Sequence, residues 1–199
     1  MLQIEARNSQ RNQNRLKLVR GLKPEGRMLE IGCGKGQFLQ MAAAYYTAEG
    51  VDISQHAIDS LKANTSFSVR RMDVELGDLP ALTYDIIIAF NILEHLQDPG
   101  RVIRKIYAAL KPGGYLVGSV PYNAALTGRM HTLLTNLFDI THCSTFPPQQ
   151  WRGLFAGAGF REICFFGEVM AGKSINAYLR HRWWSWFAFN LMFQVQKKR

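Results

Sequence analysis

At 199 residues with 47% hydrophobic content, the chain is long enough to bury one hydrophobic core, and its size suits a single domain. It has no apolar run of about 18 or more residues, and its start, MLQIEARNSQRNQNR, lacks the apolar stretch of a signal peptide. Cys33, Cys143 and Cys164 form no CxxC pair, which argues against a cysteine zinc site and a disulfide framework. We therefore expect a cytoplasmic protein with reduced thiols and no bound metal.

The net charge of +9 is concentrated at the two ends of the chain. Residues 1–27 carry +5, the residues after Glu168 carry +6, and the residues between them sum to −2. Solvated basic surfaces are the simplest interpretation. The alternative is peripheral contact with an anionic membrane or a lipid-linked substrate, which we favour over nucleic acid as a partner. The sequence does not indicate an oligomeric state.

Apolar runs alternate with helical patterns along most of the chain. A weakly amphipathic basic helix over residues 7–22 comes first, and Pro24 ends it. Strands are then predicted at 28–31, 48–53, 66–72, 84–90 and 114–120, and helices at about 36–46, 55–63 and 99–110. Such alternation predicts a parallel sheet with helices on both faces.

The pattern is less regular after Pro121. A helix is predicted over 123–138, followed by the loop DITHCSTFPP. Pro147 and Pro148 then start the helix QQWRGLFAGAG, and the strand FREICFF follows it. The aromatic tail WWSWFAFNLMFQVQKKR closes the chain.

A glycine-rich turn in LEIGCGKGQF follows the first predicted strand. It contains Glu30, Gly32, Gly34 and Gly36, and glycine permits a close backbone approach that side chains would block. The spacing is G-x-G-x-G, whereas G-x-G-x-x-G is the pattern that fits a pyrophosphate. The turn is therefore either a ligand site or a plain connection between strand and helix.

Acidic residues end the next two predicted strands. Asp52 lies 20 positions after Gly32, where a carboxylate can accept hydrogen bonds from both ribose hydroxyls. It could equally just end its strand, with Ser54 capping the following helix. Asp73 ends the third strand in MDVELGDLP. Because open α/β sheets bind ligands at the carboxyl ends of their strands, a nucleoside-containing ligand is favoured.

These residues resemble the class I S-adenosylmethionine-dependent methyltransferases, in the small-molecule group that includes the ubiquinone-biosynthesis O-methyltransferases. The resemblance covers about residues 27–160, through LEIGCGKGQFL, GVDIS, MDVELGDLP, FNILEHLQDP and LKPGGYLVGSVP in that order, and the later segment DITHCSTFPPQQWRGLFAGAGF. It implies a doubly wound, Rossmann-like α/β sheet of seven strands, the last antiparallel and from the aromatic tail, with helices on both faces. It also implies S-adenosyl-L-methionine as cofactor and S-adenosyl-L-homocysteine as product.

The resemblance implies one methyltransferase domain over residues 1–199. Its expected parts are a basic N-terminal helix at 1–26, a cofactor-binding core at 27–121, an acceptor-side cover at 122–146, and a C-terminal helix and strands at 147–199.

On the methionyl side of the cofactor, the resemblance implies that Gly32, Cys33 and Gly34 line the ligand. Glu30 would lie near the amino group, at a position where many relatives have Asp. Asn91, just after the fourth strand, would flank the methionyl moiety and the sulfonium.

On the nucleoside side, the resemblance implies that Asp52 binds the ribose, with Ile53 beside the adenine. Asp73 would face the adenine amino group, with Val74 beside it. Gly36 completes the cofactor-binding set as the last glycine of the turn.

A hydroxyl acceptor would also require a general base. The candidates by location are Glu94, His95, His131, Asp139 and His142, of which we select His95 and His142 as catalytic candidates. The alternatives are that Glu94 and His95 only pack and cap a helix, and that His142 only holds the cover loop.

The predicted function is methyl transfer to a small-molecule acceptor, with oxygen as the accepting atom. The tail concentrates three tryptophans and three phenylalanines near Arg180 and Arg182, which suggests an interfacial anchor and a lipid-like or lipid-linked acceptor. The plainer interpretation of the tail is a helix end followed by a seventh strand. Two alternative functions are an NAD(P)-dependent oxidoreductase and a non-catalytic ligand-binding relative.

GEVMAGKS at 167–174 fits the P-loop pattern G-x-x-x-x-G-K-[ST]. Too little chain follows it to supply the further strands of a P-loop nucleotidase. We interpret it as the loop that leaves the sixth strand.

Overall fold

The computed structural model describes residues 2–62, 66–122, 144, 146–171, 175–179, 188 and 190–199. The α-helices are α1 (Leu2–Leu22), α2 (Gln37–Ala42), α3 (Gln55–Leu61), α4 (Pro99–Ala109) and α5 (Pro148–Gly157), and a short 3₁₀ helix spans Leu93–His95. The strands are β1 (Gly26–Ile31), β2 (Tyr46–Asp52), β3 (Ser68–Arg71), β4 (Tyr84–Phe90), β5 (Leu110–Pro121), β6 (Phe160–Ala171), β7 (Ile175–Leu179) and β8 (Asn190–Lys197).

All described strands join one eight-stranded sheet in the order β3-β2-β1-β4-β5-β8-β6-β7. Strands β1 to β5 pair in parallel, β8 is antiparallel to both β5 and β6, and β7 is antiparallel to β6. This architecture confirms the doubly wound α/β fold with an antiparallel last strand from the tail. The sheet has one strand more than the seven expected, because β7 pairs along the outer edge of β6.

The two faces of the sheet bury separate apolar clusters, because the side chains of a strand alternate between its faces. In β4, Ile87 and Ala89 pack with α4 and α5, whereas Ile86 and Ile88 pack with α1, α2 and α3. The sequence YDIIIAF is apolar at nearly every position because helices cover both faces of the central strand.

Local capping explains where the helices beside the site begin. Asp98 accepts a hydrogen bond from the Arg101 amide at 2.8 Å, and Pro99 occupies the first turn of α4. Ser54 accepts a hydrogen bond from the Ala57 amide at 3.2 Å at the start of α3. These caps fix where the chain leaves each strand for the following helix.

Several predicted boundaries were wrong. Helix α1 begins at Leu2 rather than residue 7, and α2 ends at Ala42, because Tyr46 already belongs to β2. Gly167–Ala171 is not a loop but the end of β6, where it pairs with β7. A strand therefore follows this segment where a P-loop would have a helix. The predicted helix at 123–138 lies outside the described residues.

No helix in the described part of the chain is long and apolar enough to cross a membrane.

Candidate active site

The strand order reverses between β1 and β4, which are neighbours inside the sheet. At such a point the connections after the two strands run in opposite directions, which opens a crevice outside their carboxyl ends. The chain segments that leave β1, β2, β3 and β4 surround this crevice.

The glycine turn after β1 adopts a conformation that side chains rarely allow. Gly32 has φ +74° and Gly34 has φ +49°. A Cβ at Gly32 would lie only 2.0 Å from Ile92 Cδ1, so this position needs glycine for space as well as for φ. A Cβ at Gly34 would meet no atom within 4 Å, so glycine is required there for its φ alone. The open space above Gly34 leaves its backbone accessible to a ligand.

Asp52 at the end of β2 ties the turn to the neighbouring strand. Its Oδ2 accepts a hydrogen bond from the Gly34 amide at 2.8 Å, and its Oδ1 accepts one from the Ser54 amide at 2.9 Å. Ser54 does cap α3, so that alternative describes a real contact, but Asp52 also faces the crevice. Each carboxylate oxygen keeps a further lone pair with which it can accept a ribose hydroxyl.

A cavity of about 280 Å³ occupies the crevice. The predicted site residues that line it are Gly32, Asp52, Ile53, Asp73, Val74 and His95. Its other lining residues are Ile31, Val51, Met72, Glu75, Ile92 and Leu96, which the sequence interpretation missed. Each of these missed residues directly precedes or follows a predicted site residue, so adjacency to the motifs was the available signal.

The turn after β3 is held by contacts from α4. Lys105 Nζ donates to the carbonyl oxygens of Glu75 at 2.9 Å and Gly77 at 2.7 Å, with a longer contact of 3.3 Å to Val74 O. Asp73 Oδ1 accepts from the Glu75 amide at 2.9 Å. Lys105 therefore fixes the backbone that presents Asp73, and no sequence motif indicates this role.

Glu30 is buried beneath the glycine turn, with 6% of its surface exposed. Its Oε2 has no hydrogen-bond partner among the described residues, although the Leu39 amide donates to the carboxylate. Burial raises the pKa of Glu30 to about 8, while the nearby Arg15 guanidinium opposes the rise. A buried carboxylate with an unsatisfied oxygen suits a cationic ligand group, since such a group would offset the cost of ionising it.

Cys33 is buried in the same turn and does not line the cavity. Burial, with the neighbouring Glu30, raises the pKa of the Cys33 thiol to about 12, so it remains protonated at neutral pH. Cys33 and Cys164 are both free thiols. Gly36 also lies away from the cavity lining, at the start of α2 with φ +67°.

Asn91 follows β4 with φ +54°, a left-handed conformation that asparagine tolerates better than most residues. Its amide N–H donates to the Ser119 carbonyl at 2.8 Å, and its side-chain Oδ1 accepts from the Ser119 hydroxyl. These contacts hold Asn91 beside the carboxyl end of β4, although its side chain does not line the cavity itself.

The structure places the candidate general bases in different environments. His95, in the 3₁₀ helix, lines the cavity. Glu94 is buried instead, with 1% exposure, and its carbonyl accepts a hydrogen bond from the Ser144 amide. His142 lies outside the described residues, as do His131 and Asp139.

Comparison with known proteins agrees with this geometry. Residues 4–164 match a methyltransferase domain family. A ubiquinone biosynthesis O-methyltransferase of Coxiella burnetii is 36% identical over 96 residues, which cover 45% of this chain and 41% of the relative. A Mycolicibacterium smegmatis protein named a probable S-adenosylmethionine-dependent methyltransferase is 26% identical over 68% of this chain and 58% of its own length. The chain thus matches about two fifths to three fifths of the length of these relatives.

A solved structure with a similar fold is that of a SAM-dependent methyltransferase from Thermotoga maritima. It has a TM-score of 0.77 at 22% identity and covers 96% of this chain and 91% of its own. A second is phosphoethanolamine N-methyltransferase 2 of Haemonchus contortus in complex with S-adenosyl-L-methionine, with a TM-score of 0.64 at 19% identity, covering 77% of this chain and 38% of its own. At these identities the likeness concerns the fold.

Proposed function

Because the chain belongs to the methyltransferase domain family and is a class I S-adenosylmethionine-dependent methyltransferase, we propose that it methylates an oxygen atom of a small-molecule acceptor. The family match decides against the nicotinamide-dependent oxidoreductase. The partial similarity to ubiquinone biosynthesis O-methyltransferases supports oxygen as the accepting atom and a lipid-like acceptor. The observation that carries the proposal is the cavity at the reversal of strand order, with Asp52 and Asp73 in its lining.

On the methionyl side, we propose that Glu30 pairs with the amino group of the cofactor, since its unsatisfied Oε2 needs a cationic partner. Gly32, Cys33 and Gly34 provide the backbone on which the methionyl part lies, and the open space over Gly34 supports that path. Asn91 flanks the sulfonium from the end of β4.

On the nucleoside side, we propose that Asp52 accepts hydrogen bonds from both ribose hydroxyls through its remaining lone pairs. Asp73 Oδ2 accepts from the adenine amino group, because Oδ1 is already used by the Glu75 amide. Ile53 is 62% exposed beside the cavity and would gain apolar contact from an adenine ring. Val74 lies on the same lining, and Gly36 supports the turn from the start of α2.

S-adenosyl-L-methionine supplies an electrophilic methyl group on a sulfonium. The chain itself must align the acceptor with that methyl group and take up the hydroxyl proton. We propose His95 as the general base, since it lines the cavity. His142 remains the second candidate, in the proposed acceptor-side cover at 122–146. Without a working base, the chain would be a non-catalytic ligand-binding relative.

The proposal is tested first by calorimetric titration of the purified protein with S-adenosyl-L-homocysteine and, separately, with NAD. We expect binding of the first alone. Transfer of isotope-labelled methyl from S-adenosyl-L-methionine is then measured on hydroxyl acceptors, including lipid-like ones, and on matched amines. We expect label on the hydroxyl compounds. In His95→Gln this labelling should fall at least tenfold while the affinity for the cofactor stays unchanged. Label on the amines alone would overturn the oxygen assignment.

We also propose peripheral contact with an anionic membrane or a lipid-linked substrate through the carboxyl-terminal basic end. On the N-terminal side, Arg15 pairs with Glu168 at 2.8 Å inside the protein and Arg27 pairs with Glu49 at 2.6 Å on its surface, so these two charges already have carboxylate partners. At the opposite end, Arg161, Lys197, Lys198 and Arg199 line a groove of about 470 Å³ together with Tyr115 and Gln196. Such a groove suits an anionic head group. A cytoplasmic location remains part of the same proposal.

Co-sedimentation with phosphatidylglycerol vesicles at low salt tests the contact. We expect binding that Lys198→Glu/Arg199→Glu reduces and that the control Lys62→Glu, at an exposed position directly after α3, leaves unchanged. Equal binding to neutral phosphatidylcholine vesicles, or no binding at all, would overturn the contact without affecting the methyltransferase assignment.

A further inference from the structure

Arg15 of α1 and Glu168 of β6 form an ion pair inside the protein. Arg15 Nε donates to Glu168 Oε1 at 3.0 Å, and its terminal nitrogen donates to Oε2 at 2.8 Å. The side chains are only 5% and 3% exposed. Asn190 at the start of β8 adds a third hydrogen bond to Glu168 Oε2 at 2.8 Å. The pair therefore joins α1, β6 and β8 beneath the N-terminal helix.

The Arg15 guanidinium is also linked, through Ser119, to Asn91 at the carboxyl end of β4. It donates to Ser119 Oγ at 3.3 Å, and the Ser119 hydroxyl donates to Asn91 Oδ1. Arg15 also lies over the Phe90 ring, 4.2 Å from its centroid. A continuous set of contacts thus runs from the ion pair to the residue that follows β4.

The direction of these hydrogen bonds follows from the chemistry of the groups. A guanidinium can only donate, so the Ser119 oxygen accepts from Arg15 and its one proton remains available for Asn91. The Ser119 hydroxyl uses this proton on Asn91 Oδ1, so the Asn91 carbonyl oxygen turns toward Ser119 and its amide NH₂ lies on the other side of the group. By occupying one lone pair of the Ser119 oxygen, Arg15 favours this orientation of the Asn91 amide.

Stability gives little reason for a charged pair at this place. Replacing a buried ion pair by apolar side chains of similar volume is often neutral or stabilising, because desolvation offsets the Coulomb attraction. What the pair provides is a fixed geometry, since the planar guanidinium holds both carboxylate oxygens at once. The neighbouring Leu16 and Val19 already anchor α1 through apolar contacts.

We propose that Arg15, held by Glu168, is a positioning residue that orients Asn91 for cofactor binding through the Ser119 hydroxyl. The inference rests on the proposed role of Asn91 beside the methionyl part of the cofactor. It makes the N-terminal helix a support of the active site and not only a basic surface.

The experiment uses the full chain and S-adenosyl-L-homocysteine as the probe. The main variant is Arg15→Met/Glu168→Leu, which removes both charges together and avoids leaving either one buried alone. The hydrogen bonds from Arg15 through Ser119 to Asn91 are called the relay below. Ser119→Ala breaks the relay at its middle residue. Asn91→Gly removes the side-chain amide, and glycine tolerates the positive φ at this position. Arg20→Met is the matched control, because Arg20 lies on the same helix but stacks on Tyr45.

We expect the double variant to unfold within a few degrees of the wild type and to bind the probe about threefold to tenfold more weakly, the loss typical of one hydrogen bond. Ser119→Ala should weaken binding similarly, and combining it with the double variant should weaken binding no further. A purely structural pair would alter the melting temperature and not the affinity, and its effects would add to those of Ser119→Ala.

Unchanged affinity in the folded double variant, with weakened binding in Asn91→Gly, would overturn the relay and leave the proposed cofactor site intact. Unchanged affinity in Asn91→Gly would overturn both the relay and the role of Asn91. Weaker binding in Arg20→Met, equal to that in the double variant, would also overturn the relay, since it would show a general effect of charge on α1.

Discussion

The Gly34 amide donates a 2.8 Å hydrogen bond to Asp52 Oδ2, across 18 positions of sequence. The contact makes the glycine turn after β1 and the acidic end of β2 a single unit. It also orients the carboxylate, because the Ser54 amide holds the other oxygen at 2.9 Å. Changes at either residue should therefore affect the same ligand.

Asp52→Ala should weaken binding of S-adenosyl-L-homocysteine by about 1 to 3 kcal/mol, because the ribose hydroxyls and the Gly34 amide lose their acceptor. Isothermal titration calorimetry measures the change. Asp59→Ala is the matched control, since Asp59 is an exposed carboxylate on α3 that accepts hydrogen bonds from Gln55 and Lys62, away from the cavity lining. Equal affinity in Asp52→Ala and wild type would remove Asp52 from the site.

Gly34→Ala should lower the free energy of unfolding by about 1 to 2 kcal/mol, because φ +49° is costly for any residue with a Cβ. Binding of S-adenosyl-L-homocysteine should weaken as well, since the turn must shift to relieve the strain. Chemical denaturation measures the first effect and calorimetry the second.

The control for this substitution is Gly153→Ala in α5, where a Cβ would meet no atom within 4 Å. It should raise the free energy of unfolding by about 0.5 to 1 kcal/mol, because alanine is favoured over glycine inside a helix. Equal free energies of unfolding for Gly34→Ala and Gly153→Ala would contradict the left-handed backbone conformation of Gly34.

Glu30 should make stability and cofactor affinity depend on pH in opposite directions. Its pKa is raised from 4.5 to about 8 by burial, so between these values the unfolded chain is ionised and the folded chain holds a proton. The contribution of Glu30 to the free energy of unfolding should therefore fall as pH rises from about 4.5 to about 8 and level off above that. A cationic amino group favours ionised Glu30, so affinity for S-adenosyl-L-homocysteine should rise between about pH 6 and pH 8.

Calorimetry in buffers of different ionisation enthalpy should detect release of a proton on binding near neutral pH. Glu30→Gln is the test variant, because it keeps the shape of the side chain and cannot ionise. We expect it to lose both the rise in affinity and the proton release. A pH dependence that persists in Glu30→Gln would assign the titration to another group.

Lys105→Met should weaken binding of S-adenosyl-L-homocysteine and lower the free energy of unfolding by about 1 to 3 kcal/mol, because the carbonyls of Glu75 and Gly77 lose a charged donor. Calorimetry and chemical denaturation measure the two effects. Lys62→Met serves as control, since the Lys62 side chain is 59% exposed and pairs with the exposed Asp59. A Lys105→Met protein that binds like the wild type would show that the turn holds Asp73 without this support.

The parts of the site that follow parallel strands were predictable from sequence. Gly32, Asp52 and Asp73 each come at the end of an apolar run, and parallel strands place such ends at one edge of a sheet. Their presence in one cavity lining confirms that reasoning. The extra strand β7 was missed, because its pairing with the edge of β6 depends on a hairpin that leaves no motif.

Long-range polar contacts were not predictable. Arg15 and Glu168 lie 153 positions apart, and the sequence shows Arg15 only as one of several basic residues near the N-terminus. Lys105 likewise looks like a solvated residue of α4 until the turn after β3 is placed beside it. The roles of both side chains depend on segments that are distant in sequence and pack against them.

The sequence by itself determined the class of fold and the methyl donor, and it predicted the edge of the sheet for the site of that donor. Hydrophobic periodicity and the order of motifs can be identified in the sequence alone, without knowledge of how the segments pack. Only the tertiary structure decided that Glu30 is buried with an unsatisfied oxygen, that Asp52 receives the Gly34 amide, and that α1 reaches Asn91 through Ser119. Burial and hydrogen-bond partners depend on segments far apart in the chain, so they exist only once the sheet and its helices have packed.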